Sequence, residues 1–146
     1  EIGGNTLADR KQNESKYHGT GSENPYGHNF ERRDANGGWI ASAIDLARLI
    51  VRIDGANTVP DILQPATIQT MTTPPFAYKN YALGITISGN TWMHSGSFPG
   101  SRSFFIRTSS GLCGVIFANG SVNGLDDLLQ QIISTPGVAW PEDDKF

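Results

Sequence analysis

Apolar residues recur at helical spacing between residues 44 and 53, where they form a broad face with the charged positions outside it. Ser42 followed by Asp45 is a form of capping box, with a shorter acid than usual at the third helical position. Gly55 is the residue at which this pattern predicts the helix to stop. The strongest local signal in the chain is therefore an amphipathic helix that begins after Ser42.

Two further helices are predicted. Leu and Ile recur at helical spacing over residues 125–133, and Asp126 and Asp127 stand at the positive end of the helix dipole. A shorter helix is predicted over residues 65–71, because Pro65 suits a first turn and two prolines follow the segment.

Between these helices the pattern changes to partial alternation, which is typical of strands. Gly89 and Asn90 form a two-residue hairpin signal, and a Ser-Ser-Gly turn precedes the last strand. Strands are predicted at residues 81–88, 91–94, 101–108 and 112–118.

This order of elements predicts an α+β fold, with an antiparallel sheet of three or four strands and the last helix packed on it. Residues 1–37 show no sustained period and are predicted to be a loop-rich segment, which the aromatic residues Tyr17, Tyr26 and Phe30 hold to the body. A length of 146 residues suits one domain, with residues 38–146 as its structured part.

Composition excludes several classes of protein. Eleven Lys and Arg against fourteen Asp and Glu give a net charge of -3, which argues against nucleic acid or an anionic membrane as the main partner. No apolar run approaches the roughly 18–20 residues that a membrane-spanning helix needs. The single cysteine, Cys113, excludes an internal disulfide and an all-cysteine zinc site, and its apolar surroundings predict a buried, inert thiol.

The segment HSGSFPG at residues 94–100 is the main candidate for chemistry. It combines a histidine, two serines and two glycines between two predicted strands, and such a loop can aim backbone N–H groups at a developing oxyanion. A glycine-rich hairpin loop without function explains the same residues. Arg102, which follows closely, fits either an anionic substrate or an ordinary charge at a strand end.

Metal and cofactor sites are not indicated. His18 and His28 lie in the loop-rich segment without recognisable ligand spacing and are predicted to be solvated. No cofactor motif is present.

Four segments in order resemble the serine β-lactamase-related family, which includes class C β-lactamases, D-alanyl-D-alanine carboxypeptidases and related esterases. They are GGWIASAIDLAR at 37–48, YALG at 81–84, HSGS at 94–97 followed by Pro-Gly, and GVIFANG at 114–120. The resemblance covers roughly residues 37–135. It implies part of a β-lactamase/transpeptidase-like fold, acyl transfer on amide or ester bonds without a cofactor, and an extracytoplasmic location.

Three motifs converge in that family: a Ser-x-x-Lys nucleophile, a Tyr-x-Asn motif, and a Lys-Thr-Gly or His-Thr/Ser-Gly motif on a strand. His94-Ser95-Gly96 matches the third. By this resemblance His94 supplies charge or a hydrogen bond, Ser95 contacts a substrate carboxylate or carbonyl, and the N–H of Ser97 is one oxyanion donor.

The chain departs from the family in the other two motifs. No serine has a lysine three positions later, and Tyr78-Lys79-Asn80 stands just before the first predicted strand instead of before the GGW segment. Tyr78 is therefore predicted to be a surface or hinge aromatic. The chain resembles the C-terminal part of such a domain, and a first residue other than Met agrees with truncation.

On this interpretation the chain alone is inactive. Its expected partners are the missing N-terminal half or a second copy of itself, together with a small-molecule or peptide substrate. The alternative is a non-catalytic binding module derived from the same fold, with a cleft for a peptide or glycan.

Overall fold

Four strands form one antiparallel sheet in the order β1-β2-β3-β4, so that each strand pairs with the next along the chain. The computed structural model describes residues 1–18 and 24–140. The strands are β1 (Thr86–Ser88), β2 (Thr91–Phe98), β3 (Ser101–Arg107) and β4 (Cys113–Ala118). The helices are α1 (Phe30–Arg33), α2 (Ala43–Ile50), α3 (Pro65–Thr72) and α4 (Leu125–Ile133), with a 3₁₀ turn at Leu7–Asp9. The predicted α+β class is confirmed.

Helix α2 begins as the sequence predicts. The hydroxyl of Ser42 accepts from the backbone N–H of Asp45 at 3.1 Å, and the Asp45 carboxylate accepts from the N–H of Ser42 at 3.2 Å. The Ser42 hydroxyl also donates to the Asp45 carboxylate at 2.8 Å, and this bond, followed by the one from the Ser42 N–H, lowers the pKa of Asp45. The predicted end at Gly55 is wrong, since the helix ends at Ile50 and Val51 is its C-cap. The chain then turns so that the Asp54 carboxylate accepts from the N–H of Ala56 at 2.9 Å.

The strand predicted over residues 81–88 is wrong in its first half. Tyr81 forms an isolated bridge with Thr86, and the N–H of Ala82 donates to the carbonyl of Ile85 at 2.8 Å. Gly84 lies at a φ of 79°, which a tight turn permits and a strand does not. The turn leaves 63% of Leu83 exposed, so the alternating apolar pattern reflects a turn and not a sheet face.

The core divides into two clusters on opposite faces of the sheet. Ile68 of α3, Ile85 and Trp92 form the first, with Phe105 against it. The second is formed by Phe104, Ile106 and Leu129 of α4, with Met93 and Ile133 against it. Because successive residues of a strand point to opposite faces, α4 covers one face and α3 the other.

The loop-rich segment is more ordered than its sequence suggests. Ile2 bridges Trp39, and Asn29 caps the short helix α1 by accepting from the N–H of Arg32 at 2.8 Å. Of the aromatic residues predicted to hold this segment to the body, Phe30 contacts Phe98 of β2 with ring centres 5.5 Å apart, whereas the rings of Tyr17 and Tyr26 meet each other edge to face at 5.7 Å. Of the predicted loop, residues 19–23 lie outside the described part of the chain.

Candidate active site

The segment His94-Ser95-Gly96-Ser97 lies inside a strand, as the family resemblance implies; the loop predicted from the residue types over 94–100 is wrong up to Phe98. Strand β2 continues to Phe98, and only Pro99 and Gly100 form the turn into β3. Gly100 has a φ of 69°, as a glycine at the third position of a tight turn allows. The atom nearest to a side chain built on Gly96 would be the hydroxyl of Ser103, its partner across the strand pair, and that hydroxyl would have to rotate away.

This part of β2 borders open space on one side. Strand β1 pairs with β2 only over Thr91–Met93, and no other strand among the described residues continues β1 alongside His94 or the residues after it. Phe98 pairs with Ser101 across a two-residue turn, so the N–H and C=O groups of Phe98 face β3. Because this direction alternates from one residue to the next, the backbone groups of the other even-numbered residues of β2 also face β3. The N–H and C=O groups of Ser95 and Ser97 therefore face the open edge.

The side chain of His94 has a specific partner. Its Nε2 lies 3.0 Å from the hydroxyl of Tyr81, and the two rings are 5.9 Å apart. The hydroxyl donates to one tautomer of the imidazole and accepts from the other, so Tyr81 favours a fixed ring orientation. Tyr81 belongs to YALG, one of the four segments that carry the family resemblance. Nothing in the sequence indicated this contact.

The two serines of the segment lie on the opposite face from His94. Ser95 and Ser97 alternate with it along the strand, on the side where Met93 packs against the α4 cluster, and both are exposed. Their hydroxyls and the His94 ring are therefore on different sides of β2, while the backbone groups at the edge are reachable from both.

Arg102 lies opposite Ser97 in the β2–β3 pair. Its Nη1 donates to the carbonyl of Phe98 at 2.6 Å and to the carbonyl of Ser101 at 3.0 Å. The guanidinium thus braces the turn at the end of the candidate segment, and a contact with an anionic substrate stays a prediction.

A cavity of about 80 Å³ lies between the N-terminal segment and the end of β2, where Phe98 lines it. The buried carboxylate of Glu14 accepts from the hydroxyl of Tyr26 at 3.0 Å and from the N–H of Lys11 at 3.1 Å. Burial, followed by the hydrogen bond to Glu14 and its charge, raises the pKa of Tyr26 to about 12. Burial also raises the pKa of Tyr17. This cluster ties parts of the N-terminal segment to one another beside the end of β2.

The remaining aromatic residues near this region differ in their exposure. Tyr78 is 64% exposed, as a surface aromatic would be. Trp39 is 64% exposed and its indole N–H donates to Asp34 at 2.7 Å, whereas Trp92 is buried in the core. Within residues 1–18 and 24–140, no three acidic, histidine or cysteine side chains are grouped so that they could hold a metal ion.

The chain was compared with known protein families, curated proteins and solved structures. A family model described as Beta-lactamase matches residues 4–133, so the chain belongs to the Beta-lactamase family. The resemblance seen in the sequence is confirmed, and the match begins well before residue 37. No curated protein and no solved structure gives a significant match to the chain. No helix of the described residues has the length and apolarity needed to cross a membrane.

Proposed function

We propose that this chain is the C-terminal portion of a serine hydrolase that acts by acyl transfer on amide or ester bonds. The observation that carries the proposal is the position of residues 94–97 on the open edge of β2, in a chain that belongs to the Beta-lactamase family. The chain contains no Ser-x-x-Lys. A separate segment must therefore bring the nucleophile to this edge.

The proposed division of roles follows from which groups reach the edge. The N–H of Ser97 binds the oxyanion that forms when the nucleophile attacks a carbonyl, and the nucleophile's own N–H is the second donor. His94, oriented by Tyr81, supplies a hydrogen bond or positive charge beside the proton-transfer tyrosine of the missing segment. Ser95 contacts the substrate with its hydroxyl or its edge-facing backbone groups.

The proposal also covers the domain boundaries, the partner at the edge of β2 and the location of the protein. Residues 38–146 form the C-terminal part of the domain, and the partner at the edge of β2 is the missing N-terminal half or a second copy of the chain. The family's usual extracytoplasmic location is carried over with the activity.

Reconstitution tests this proposal directly. The chain is mixed with the N-terminal half of a related family member that carries Ser-x-x-Lys, and hydrolysis of a chromogenic ester and a chromogenic cephalosporin is followed. We expect turnover only in the mixture. Intact mass after incubation with a fluorophosphonate or a penicillin should show no adduct on this chain alone. An adduct on the chain alone would mean that Ser95 or another serine is itself the nucleophile.

A pair of variants at Ser97 separates the backbone donor from the side chain. Ser97→Pro removes the N–H, and the strand tolerates it because that N–H faces the open edge and not β3. Its activity in the mixture should fall by roughly 10²–10³-fold, the usual effect of losing one oxyanion donor. Ser97→Ala keeps the N–H and should retain most activity. Equal losses in the two variants would contradict the assigned role.

A second candidate is a non-catalytic binding module. The unpaired backbone groups of Ser95 and Ser97 favour it, because an exposed sheet edge can accept an extended peptide as an added strand. Saturable peptide binding by a stable monomer, together with no activity in any reconstituted mixture, would select this function over the hydrolase.

A further inference from the structure

Phe98, the last residue of β2, is contacted by three side chains of the N-terminal segment. The ring of His28 meets it edge to face at 4.6 Å, and the ring of Phe30 lies at 5.5 Å. The guanidinium carbon of Arg33 stands 4.8 Å from the centre of the Phe98 ring. These contacts place the chain around α1 beside the residue that directly follows Ser97.

An open pocket of about 380 Å³ lies next to this contact, and every residue that lines it is polar. The lining residues are His28, Asn29, Arg32, Arg33 and Asn36. Each arginine offers five N–H donors in a planar fork that matches the two oxygens of a carboxylate. The pocket is therefore rich in donors and positive charge, which is the chemistry that an oxyanion requires.

The acidic residues of the same segment do not line this pocket. Asp34 accepts from the indole N–H of Trp39 at 2.7 Å, and Glu31 is exposed on α1. Among residues 1–18 and 24–140, no carboxylate forms an ion pair with Arg32 or Arg33. Within the described structure, the two guanidinium groups are thus not neutralised by a neighbouring acid.

The pocket also lies on the side of β2 that carries His94. His94 and Phe98 are four residues apart in the strand, so their side chains point to the same face about 13 Å from each other. Gly96 between them has no side chain, and the nearest atom on this face is the hydroxyl of Ser103 on the neighbouring strand. A chain lying along this face would run from His94 past Gly96 to Arg33.

We propose that this pocket binds a carboxylate carried by the acyl part of the substrate, so that the substrate is an amide or ester of a dicarboxylic acid. The identity of the ligand as substrate rests on the proposed function. If the reacting carbonyl lies at the N–H of Ser97, an acyl chain that runs towards Phe98 reaches the guanidinium of Arg33 next. Arg32 and Arg33 then fix the far end of the acyl group, and the arginine fork favours a carboxylate over a neutral amide.

The experiment compares two ligands that differ only at that end. Glutaryl-D-alanine amide carries the carboxylate, and the neutral analogue has a carboxamide in its place. Each is titrated into the full chain, and backbone amide shifts are followed by NMR at residues 28–36 and at residues 95–97. We expect the acid to bind saturably and to shift both sets, and the neutral analogue to shift only residues 95–97 with about tenfold weaker affinity. Added salt should weaken binding of the acid alone.

Variants identify the groups responsible. Arg33→Gln and, separately, Arg32→Gln should each weaken binding of the acid about tenfold and leave the neutral analogue unchanged. Arg52→Gln, at an exposed arginine just after α2, is the matched control and should change neither ligand. If Arg33→Gln disrupts the packing around Phe98, the Arg32→Gln variant still tests the pocket, since Arg32 does not contact Phe98.

The outcomes distinguish this inference from the proposed function. Equal affinity for the two ligands, with shifts at residues 95–97, would overturn the carboxylate pocket and leave the proposed function standing. Shifts confined to residues 28–36 would overturn the pocket as a substrate subsite, because the acid would bind there without engaging the edge of β2. Absence of shifts at residues 95–97 with either ligand would count against the proposed function itself.

Discussion

The carboxylate of Asp54 and the guanidinium of Arg107 form an ion pair, with Oδ2 and Nε 3.1 Å apart. Only 3% of the Asp54 side chain and 13% of the Arg107 side chain are exposed. The guanidinium also stands over the Trp92 ring at 5.4 Å. This pair joins the segment after α2 to the end of β3, more than fifty residues further along the chain, and so links the helical part of the sequence to the sheet.

Removing one member of this pair should destabilise the protein strongly. Asp54→Ala leaves a buried guanidinium without its counter-charge, and we expect the free energy of unfolding to fall by roughly 3 kcal/mol. Urea unfolding measures the change, and Glu31→Ala at an exposed acid is the control. In the double variant with Arg107→Met the loss should be smaller than the sum of the two single losses. Strict additivity would show that the two residues act independently.

The tyrosine cluster around Glu14 should make stability fall in alkaline solution. Tyr26 has a pKa of about 12 in the folded chain and an ordinary value of 10.0, so the folded state holds this proton more tightly than the unfolded state does. The resulting stabilisation is complete below pH 10 and is lost as the pH rises towards 12. Between pH 10 and pH 12, the Tm of Tyr26→Phe should fall less than the Tm of the unchanged protein. Tyr78→Phe, at an exposed tyrosine outside the cluster, should leave the profile unchanged.

The thiol of Cys113 should be slow to react in the folded protein. Burial, with the nearby charge of Asp54, raises the pKa of this thiol to about 11, and the thiolate is the reactive form. At pH 8 we expect modification by a chromogenic disulfide to be about a hundredfold slower in native protein than in urea. Equal rates in the two conditions would show that the thiol is neither buried nor perturbed.

The contact between Tyr81 and His94 should be visible in the imidazole itself. Tyr81→Phe removes the hydroxyl partner of Nε2, so the ¹⁵N shifts of the His94 ring should move towards those of a ring that exchanges freely between tautomers. Tyr78→Phe serves as the control and should not move them. A ring that keeps its shifts in Tyr81→Phe would mean that other contacts orient it.

Local signals in the sequence were sufficient for the start of α2, for α4 and for the two-residue turn at Gly89–Asn90. A capping box, a repeated apolar face and a Gly-Asn turn each act over a few residues, and the structure places them where the sequence predicts. The end of α2 could not be predicted in the same way. The segment that follows it is held by Asp54, whose partner Arg107 is distant in sequence.

In the candidate site, too, some features depend on local sequence and others on residues distant in the chain. The residues at 94–97 could be selected from their chemistry, but their position on a strand depends on pairing with β3 at Gly96, which composition does not reveal. The partner of His94 is thirteen positions earlier in the chain, beyond a turn that resembles a strand in sequence. The basic pocket depends on Arg33 meeting Phe98, and nothing in the pattern of residues 1–37 indicates that contact.

The turns at the two ends of β2 determine which of its residues direct their backbone groups to the open edge. Gly89–Asn90 and Pro99–Gly100 each span two residues, and together they fix which residues of the strand are odd and which are even relative to the sheet. One residue inserted after His94 would exchange the two sets. His94 would remain beside Tyr81, but the backbone N–H groups of the serines after it would turn from the open edge towards β3, and their side chains would move to the other face of the sheet. Insertions and deletions in this strand should therefore be tolerated in pairs, and any screen of length variants should recover even changes and lose odd ones.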